Sequence, residues 1–322
     1  MRIVLCYPVE SRHVEQIAQI VPNAEIVAAG QQRIAEEILA ADIFCGHAKV
    51  PVPWDDVVKA GRLRWVQSTA AGVDHCLVPS VVDSDILVTS ASGVLADQVA
   101  EHAVALITAL TRNLPTFFRA QQKHEFVRLP TGDLTDSTVG IVGFGGVGRR
   151  LAELLAPFRT RILATDLFPW NKPAHVAELW PAEKLPDLLA ESDIVILAVP
   201  LTEQTRGLFN RDAFAQMKPG AFFVNVARGQ IVVEADLVAM LREGHLAGAA
   251  LDVTHEEPLP VDSPLWDLPN VLITPHVGGQ SAKRIDRMTD FFCENLRRYL
   301  AGQPLHNVVD KQLGYPVPKS DS

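Results

Sequence analysis

The sequence is poor in cysteine, and its cysteines are scattered. Cys6, Cys45, Cys76 and Cys293 are the only four among 322 residues, and no two of them have the spacing of a metal-binding or redox motif. Cys6 and Cys45 lie in apolar, strand-like runs and are predicted to be buried thiols. Unpaired cysteines are typical of a reducing compartment. No metal site is predicted.

The sequence also lacks long apolar runs and basic segments. A membrane-spanning helix needs a run of about 18 apolar residues, and none occurs. The N-terminus, MRIVLCYPVE, begins directly with a strand-like segment and has no signal-peptide core. The formal net charge is −9 without any basic stripe, so neither nucleic acid nor a membrane surface is expected as a partner. We therefore expect a soluble, cytoplasmic protein.

Strand-like and helix-like segments alternate along almost the whole chain. With 48% hydrophobic and 21% charged residues, a chain of 322 residues suffices for two domains. Because parallel strands need helical crossovers, the alternation predicts an α/β protein with two doubly wound parallel sheets. The predicted strands are 2–7, 24–29, 42–46, 64–68 and 86–90 in a first series, and 138–142, 161–166, 193–200, 221–227, 248–253 and 271–276 in a second.

Two longer helical patterns flank the second series of strands. The first runs from Asp97 to about Gln121, and Pro115 is expected to kink it or to end its first part. The second spans about 281–301 and precedes a proline-containing tail that is predicted to be loosely held. If this last helix returns to the first unit, that unit is discontinuous in sequence.

A glycine-rich loop, VGIVGFGGVGRR, gives the first functional signal. Gly143, Gly145 and Gly148 form a Gly-x-Gly-x-x-Gly pattern between an apolar strand and an amphipathic helix. Such glycines permit a tight turn, close approach of the backbone to a pyrophosphate, and close contact between helix and strand. The N-terminus of the helix offers unpaired N–H groups to the phosphates. The pattern predicts a dinucleotide site.

An acidic residue at the end of the next strand favours NAD over NADP. Asp166 lies 18 residues beyond Gly148, where a carboxylate can accept hydrogen bonds from both hydroxyls of the adenosine ribose. This carboxylate would repel a 2′-phosphate, and Leu167 follows where NADP sites more often place arginine. The alternative is a glycine turn without a ligand, which the strand, helix and acid in register disfavour.

Polar residues also follow three later strands, where ligands of open parallel sheets bind. Arg228 ends FFVNVARG, Asp252 and Glu257 follow GAAL, and His276 ends VLITPH. Arg228 can hold a substrate carboxylate and its neighbouring carbonyl oxygen, His276 can move a proton, and Glu257 can orient the imidazole. The set predicts a site for a 2-hydroxy or 2-oxo acid. Alternatively, Arg228 is a solvated cation at a strand end, His276 is a turn residue beside Pro275, and Glu257 is a surface acid.

Longer stretches resemble the D-isomer-specific 2-hydroxyacid dehydrogenases over about residues 40–310. The matching segments are STAAGVDH, VAEHAVAL, VGIVGFGGVGRRLA, DIVILAVPLTEQTRGLFN, MKPGAFFVNVARGQIVVEADLVAMLREGHLAGAALDV, EEPLP and LPNVLITPHVGG. The stretch MKPGAFFVNVARG with its downstream ALDV, EP and TPHVGG is highly specific to that family. The resemblance implies a Rossmann-type NAD domain at 98–284, inserted in a flavodoxin-like substrate domain formed by 1–97 and 285–322, with the active site in the cleft.

The resemblance also implies roles for individual residues. Asp252 matches the residue that hydrogen-bonds the nicotinamide carboxamide. The implied catalytic residues are Arg228, Glu257 and His276. The implied substrate-binding residues are Ala71, Gly72 and Val73, the last two through backbone N–H groups that receive the carboxylate. The other implied cofactor contacts are Gly143, Gly145, Gly146, Val147, Gly148, Asp166, Val199, Pro200, Thr205, Val226, Ala227, Arg228, His276 and Gly278.

Several positions depart from the patterns of relatives. TDSTVG replaces the usual Gly-Lys-Thr before the phosphate loop, and KHEFVRLP lacks the usual tryptophan, so packing or dimer contacts there are expected to differ. Formate dehydrogenases carry Gln at the position of Glu257, and phosphite dehydrogenases carry Lys at that of Ala71, so both substrates are disfavoured.

The substrate is predicted from one local similarity. SGVLADQVAEH is similar to the GVLTD region of glyoxylate and hydroxypyruvate reductases, which favours a small 2-oxo acid of that type. One alternative is a 3-phosphoglycerate dehydrogenase without the regulatory C-terminal domain, with Lys49 and Arg64 as candidate phosphate ligands. Another is a non-catalytic NAD-binding regulatory or scaffold protein. Because family members are commonly homodimers with contacts around helix 97–121, a homodimer is expected.

Overall fold

The structure is a computed structural model, which describes residues 1–317; the end of the predicted tail, 318–322, lies outside the described residues. The strands are β1 (Arg2–Cys6), β2 (Glu25–Ala28), β3 (Ile43–Gly46), β4 (Trp65–Ser68), β5 (Leu87–Thr89), β6 (Thr138–Val142), β7 (Arg161–Asp166), β8 (Glu178–Pro181), β9 (Ile194–Leu197), β10 (Ala221–Asn225), β11 (Leu246–Leu251), β12 (Val271–Ile273), β13 (Val309–Asp310) and β14 (Tyr315–Pro316). The helices are α1 (Ser11–Ile20), α2 (Gly30–Glu37), α3 (Trp54–Ala60), α4 (Pro79–Val82), α5 (Ala96–Thr111), α6 (Leu114–Gln122), α7 (Gly146–Leu155), α8 (Leu185–Glu191), α9 (Arg211–Gln216), α10 (Glu234–Arg242) and α11 (Arg284–Leu300).

These elements form two compact units. The first contains Met1–Leu95 and the described residues from Ser281 onward, and the second contains Ala96–Gln280. Each unit is built on one parallel sheet, with strands ordered β2-β1-β3-β4-β5 in the first and β12-β11-β10-β9-β6-β7-β8 in the second. The predicted fold class, α/β with two doubly wound parallel sheets, is confirmed. The assignment of one unit to the substrate and the other to NAD stays a prediction.

The sheet of the first unit is buried on both faces. Because successive side chains of a strand point to opposite faces, Ile3 packs into a core with Ile17 of α1 and Phe292 of α11. Its neighbour Val4 packs into a separate core that includes Ile34 of α2. Apolar residues at successive positions of β1 therefore serve both faces, as expected for a central parallel strand.

The sheet of the second unit has the strand order of dinucleotide-binding folds, extended by one strand. The chain runs outward from β6 through β7 to β8, and then returns to the other side of β6 with β9. Loops that leave β6 and β9 in opposite directions open a crevice at the carboxyl ends of the strands. All strands of this sheet are parallel, so the loops after them lie at one edge.

The sequence missed the strands β8, β13 and β14 and predicted one long helical stretch only in part. The tail predicted to be loosely held instead forms, in its described part, the antiparallel pair of β13 and β14. The edge strand β8 reads ELWP, and its half-exposed side chains leave no apolar run to detect. The long helical pattern is split into α5 and α6, with Pro115 as the second residue of α6. Asn113 adopts a left-handed backbone, with φ of 56°, where the chain turns between the two helices.

All four cysteines are buried and free, as predicted for Cys6 and Cys45. Within residues 1–317, no helix combines the length and apolar character needed to cross a bilayer.

Candidate active site

The glycines of the loop after β6 meet two requirements: close packing of the backbone at Gly143 and Gly148, and open space at Gly145. Gly143 has φ of +98°, and a Cβ there would lie 2.7 Å from the carbonyl carbon of Ala198. A Cβ on Gly148 would overlap the carbonyl of Gly143, so helix and strand meet there too closely for any side chain. A Cβ on Gly145, by contrast, would meet no atom of the described part of the chain within 4 Å. The space above Gly145 is therefore open to a ligand.

The N-terminus of α7 continues this open surface. The helix starts at Gly146, and no side chain among residues 1–317 caps its N-terminus. Uncapped N–H groups at a ten-residue helix favour an anion, since they combine hydrogen-bond donors with the positive end of the helix dipole. The loop and the helix thus fit the pyrophosphate of a dinucleotide.

Asp166 lies at the end of β7, beside the glycine loop. Its Oδ2 accepts a hydrogen bond of 2.6 Å from the N–H of Phe144, and its Oδ1 accepts one of 2.9 Å from the N–H of Phe168. A carboxylate has about four lone-pair sites, so it keeps acceptor capacity for ribose hydroxyls. The two bonds hold the acid in place for that contact.

The turn after β9 packs on the other side of the glycine loop. The side chain of Val199 would lie 2.8 Å from a Cβ at Gly143. Thr205 Oγ1 donates to the carbonyl of Pro200 at 2.7 Å and accepts from the N–H of Thr202 at 2.8 Å. These bonds fix the turn that carries the predicted cofactor contacts Val199, Pro200 and Thr205.

Arg228 follows β10 in a turn that its neighbours hold firmly. The side chain of Asn225 accepts from the N–H of Ala227 and donates to the carbonyl of Arg228, both at 3.0 Å. A Cβ on Gly229 would overlap the backbone of Thr254, so only glycine fits after the arginine. The predicted cofactor contacts Val226 and Ala227 lie in the same turn.

The guanidinium of Arg228 has no counter-ion within residues 1–317. It is half-buried, and its Nη1 donates only to the carbonyl of Ala227, at 2.7 Å. A guanidinium keeps its charge at any physiological pH and presents up to five N–H donors. Most of its donors therefore remain for an anionic ligand.

His276 and Glu257 form a hydrogen-bonded pair. The Nδ1 of His276 lies 2.7 Å from Oε2 of Glu257, and the N–H of Thr254 donates to Oε1 of that carboxylate at 3.2 Å. Because an ionised carboxylate only accepts, Nδ1 carries the hydrogen and Nε2 is left to exchange a proton with a ligand. The two side chains are 47% and 39% exposed, so the pair is open to a ligand.

Sheet register places these residues at neighbouring strand ends. Asn225 of β10 pairs with Leu251 of β11, which pairs with Ile273 of β12. Arg228 lies three residues after Asn225, and His276 lies three residues after Ile273. Since adjacent strands lie about 4.8 Å apart, the two chain segments leave the sheet about 10 Å from each other. A small ligand of a few heavy atoms can span that distance.

Asp252 lies at the end of β11 and is almost fully buried, with 3% of its side chain exposed. Burial by itself raises the pKa of this carboxyl. Hydrogen bonds from His102, Thr274 and the backbone outweigh burial and lower the pKa of Asp252 to about 2. The N–H groups of Val277 and Gly278 are among these donors, each at 2.9 Å. The carboxylate thus holds the segment around His276, and its predicted contact with nicotinamide stays a prediction.

His102 is a site residue that the sequence did not reveal. It lies on α5, and its Nε2 is 2.9 Å from Oγ1 of Thr274 and 3.2 Å from Oδ1 of Asp252. Its neighbours in VAEHAVAL are mostly apolar, and its partners are 150 residues or more away, so no local signal marks it.

The predicted substrate loop lies in the first unit, after β4. The backbone N–H groups of Ala71, Gly72 and Val73 donate to no acceptor within residues 1–317. The side chain of Val73 is only 1% exposed, and its carbonyl accepts from the N–H groups of Cys76 and Leu77 at 3.0 Å. Three consecutive unengaged N–H groups in a fixed turn suit a carboxylate.

Comparison with known proteins agrees with this geometry. Residues 104–278 match the family model of the D-isomer specific 2-hydroxyacid dehydrogenase, NAD binding domain. The chain belongs to the D-isomer specific 2-hydroxyacid dehydrogenase family. It is therefore an oxidoreductase that acts on CH–OH groups with a nicotinamide cofactor.

Several relatives in this family have described activities. A human glyoxylate reductase/hydroxypyruvate reductase is 36% identical over 76% of this chain and 76% of its own length. A D-3-phosphoglycerate dehydrogenase of Mycobacterium bovis is 32% identical over 87% of this chain, which spans only 53% of that relative. A solved structure from Sinorhizobium meliloti, an NADPH-dependent glyoxylate/hydroxypyruvate reductase in complex with NADP and sulfate, is 29% identical, with a TM-score of 0.84 over 98% of this chain and 99% of its own.

Proposed function

We propose that this dehydrogenase interconverts a small D-2-hydroxy acid and its 2-oxo acid, with hydroxypyruvate or glyoxylate as the preferred 2-oxo substrate. The observation that carries the proposal is the hydrogen-bonded pair of His276 and Glu257, which follow β12 and β11, beside Arg228 after β10, whose guanidinium has no counter-ion within residues 1–317. A proton carrier and a free cation are what the reduction of a 2-oxo acid needs.

Arg228 holds the substrate and stabilises charge. Its fork can bind the substrate carboxylate together with the neighbouring carbonyl oxygen. As negative charge grows on that oxygen during reduction, the arginine stabilises it, an effect typically of a few kcal/mol. The firm turn from Asn225 to Gly229 keeps the guanidinium in place without reorganisation.

His276 moves the proton. A bound nicotinamide supplies or accepts the hydride at substrate C2. In the reducing direction, Nε2 of His276 donates a proton to the oxygen, and in the oxidising direction it accepts one. Glu257 stabilises the imidazolium through Nδ1 and keeps the ring in one orientation.

The loop of Ala71, Gly72 and Val73 is the second holder of the substrate carboxylate in this proposal. Its unengaged N–H groups support the assignment. A side chain as short as that of Ala71 leaves room for a substrate but adds no charge, in keeping with a small 2-oxo acid.

We propose NAD as the cofactor. Asp166 supports this choice because it lies at the end of β7 beside the glycine loop, and a carboxylate there would repel a 2′-phosphate. The Sinorhizobium meliloti relative is described as NADPH-dependent, so both cofactors belong in the test.

A substrate panel tests the proposal directly. Hydroxypyruvate, glyoxylate, pyruvate and bulkier 2-oxo acids are each offered with NADH and with NADPH, and initial rates are followed by absorbance. We expect the highest kcat/KM with hydroxypyruvate or glyoxylate and NADH. Tight NADH binding without turnover of any 2-oxo acid would refute the proposed reaction.

A second candidate is the oxidation of 3-phosphoglycerate. The similarity to the Mycobacterium bovis enzyme favours it, although this chain spans about half the length of that relative. A phosphate would need cations near the substrate. Lys49 follows β3, at the same sheet edge as the loop 71–73, and keeps that proposed role, whereas Arg64 precedes β4 and lies at the opposite edge of the sheet. Adding 3-phosphoglycerate and phosphohydroxypyruvate to the panel separates the two candidates.

We further propose a cytoplasmic homodimer. Four buried, free cysteines suit a reducing compartment. Phe118 on α6 is 58% exposed, and Phe126 and Leu129 in the following loop are 91% and 45% exposed. Large apolar side chains clustered along one stretch are typical of an interface with another chain.

A further inference from the structure

The carboxylate of Asp252 is surrounded by donors from one short segment and one distant helix. The N–H groups of Val277 and Gly278 donate to it at 2.9 Å, and the hydroxyl of Thr274 donates at 2.6 Å. His102 on α5 is the donor from outside that segment, with Nε2 at 3.2 Å from Oδ1. The carboxylate thus connects the segment 274–278 to α5.

The donors and acceptors determine which nitrogen of His102 carries hydrogen. Thr274 has one hydroxyl hydrogen, and the short distance to the ionised Asp252 assigns it to that bond. The oxygen of Thr274, 2.9 Å from Nε2 of His102, is then an acceptor, as is the carboxylate. Two acceptors facing Nε2 require that this nitrogen carries a hydrogen and donates it to both.

The segment that His102 anchors is the one that holds His276 in an unusual conformation. His276 has φ of 53°, in the left-handed region that side-chain-bearing residues seldom adopt. Its N–H donates to the backbone carbonyl of Asp252 at 2.7 Å. Such a conformation persists only where the surroundings impose it, and here residues on both sides of His276 are bound to Asp252.

We propose that His102 is a positioning residue for His276: by donating from Nε2 to Thr274 and Asp252, it fixes the segment that presents the imidazole to the substrate. The catalytic role of His276 in this inference rests on the proposed function. The anchoring of the segment 274–278 by His102 does not. His102 need not touch the substrate or the cofactor for this role.

Substitutions that place an amide nitrogen at different distances from the backbone test the role of Nε2. In His102→Gln, the amide nitrogen lies close to the place of Nε2, whereas in His102→Asn it lies closer to that of Nδ1. His102→Leu removes the donor and keeps much of the volume. His175→Leu, at an exposed histidine, is the matched control.

We expect His102→Leu and His102→Asn to lower kcat about tenfold or more, because small misplacements of a catalytic group are costly. The Kd of NADH should change less than about twofold, and His102→Gln should recover kcat to within about threefold of the wild type. A glutamine variant as impaired as the leucine variant, or a leucine variant with wild-type kcat, would overturn the inference. If His102→Leu does not fold, Thr274→Val removes the same bond, and Thr274→Ser is its rescue.

Amide hydrogen exchange separates this inference from the proposed reaction. The peptide that contains 274–280 should exchange faster in His102→Leu than in the wild type, and at the wild-type rate in His102→Gln. This result would support the anchoring even if the wild type reduced none of the 2-oxo acids, an outcome that would refute the proposed reaction but not the anchoring. Unchanged exchange in a leucine variant with lowered kcat would show that His102 acts in another way and would overturn the inference.

Discussion

Nδ1 of His276 lies 2.7 Å from Oε2 of Glu257, although the two residues are 19 positions apart and follow different strands. The contact assigns the ring hydrogen to Nδ1 and leaves Nε2 for the proton transfer that we propose. In the proposed reaction Glu257 acts through its contact with His276, which makes the pair open to a selective test.

Glu257→Gln should lower kcat by about 10- to 100-fold, within the range of general acid–base effects. The amide oxygen can still accept from Nδ1, so the ring keeps its orientation, but the negative charge that stabilises the imidazolium is lost. Steady-state kinetics with the best substrate of the panel measure the effect. Glu256→Gln, at the exposed neighbouring acid, is the control and should behave as the wild type.

Arg228→Gln should lower kcat/KM by about 100- to 1000-fold, because it removes the cation that stabilises the developing oxyanion. Arg228→Lys should recover only part of the loss, since an ammonium cannot form the planar fork. Fluorescence titration should give a nearly unchanged Kd for NADH. Near-wild-type turnover in Arg228→Gln, with Arg242→Gln as the exposed-arginine control, would contradict the assignment.

Asp252 should make stability depend on pH in the acid range. Its folded-state pKa of about 2 lies below the ordinary value of 3.8, so the ionised form stabilises the fold above about pH 4. This contribution, roughly 2 kcal/mol, should disappear as pH falls from about 4 to about 2. Urea unfolding of the wild type and of Asp252→Asn should therefore differ most at pH 7 and progressively less below pH 4. A constant difference across this range, or an equal effect in the exposed control Asp262→Asn, would contradict it.

Cofactor preference should depend on the end of β7. Replacing Asp166 by Asn and Leu167 by Arg removes a negative charge and adds a donor for a 2′-phosphate. Because a hydrogen bond to a charged group contributes about 1.5–3 kcal/mol, the ratio of kcat/KM for NADH over NADPH should fall by about 10- to 100-fold. A wild-type enzyme that already prefers NADPH would show that Asp166 does not exclude the phosphate.

The proposed dimer should weaken when its apolar side chains are replaced. Phe126 is 91% exposed in the single chain, and Phe118 is 58% exposed. Light scattering after size-exclusion chromatography should give about twice the mass of the chain for the wild type and a lower average mass for Phe118→Ser/Phe126→Ser. The control is Val261→Ser, at a valine that is 97% exposed outside this region. A monomeric wild type would refute the proposed state.

The element order and the dinucleotide loop could be predicted from the sequence because both depend on local properties. Apolar runs marked the strands, and the glycines of the loop were recognised between a strand and a helix. Gly143 and Gly148 confirm the reasoning, since each lacks space for a Cβ. The edge strand β8 was not predicted, because a half-exposed strand does not need an apolar run in its sequence.

The sequence by itself determined which residue types follow each strand, and thus that a cation, an acid and a histidine occur near one edge of a sheet. It did not decide whether Glu257 pairs with His276 or is a solvated surface acid, and nothing in it pointed to His102. Only the tertiary structure decided that Glu257 contacts Nδ1 of His276, and that Asp252 is buried among donors, one of which comes from a helix 150 positions earlier in the chain. Hydrophobic periodicity and glycine conformation act over a few residues, whereas hydrogen bonds between strand-end loops depend on register and packing across the whole unit.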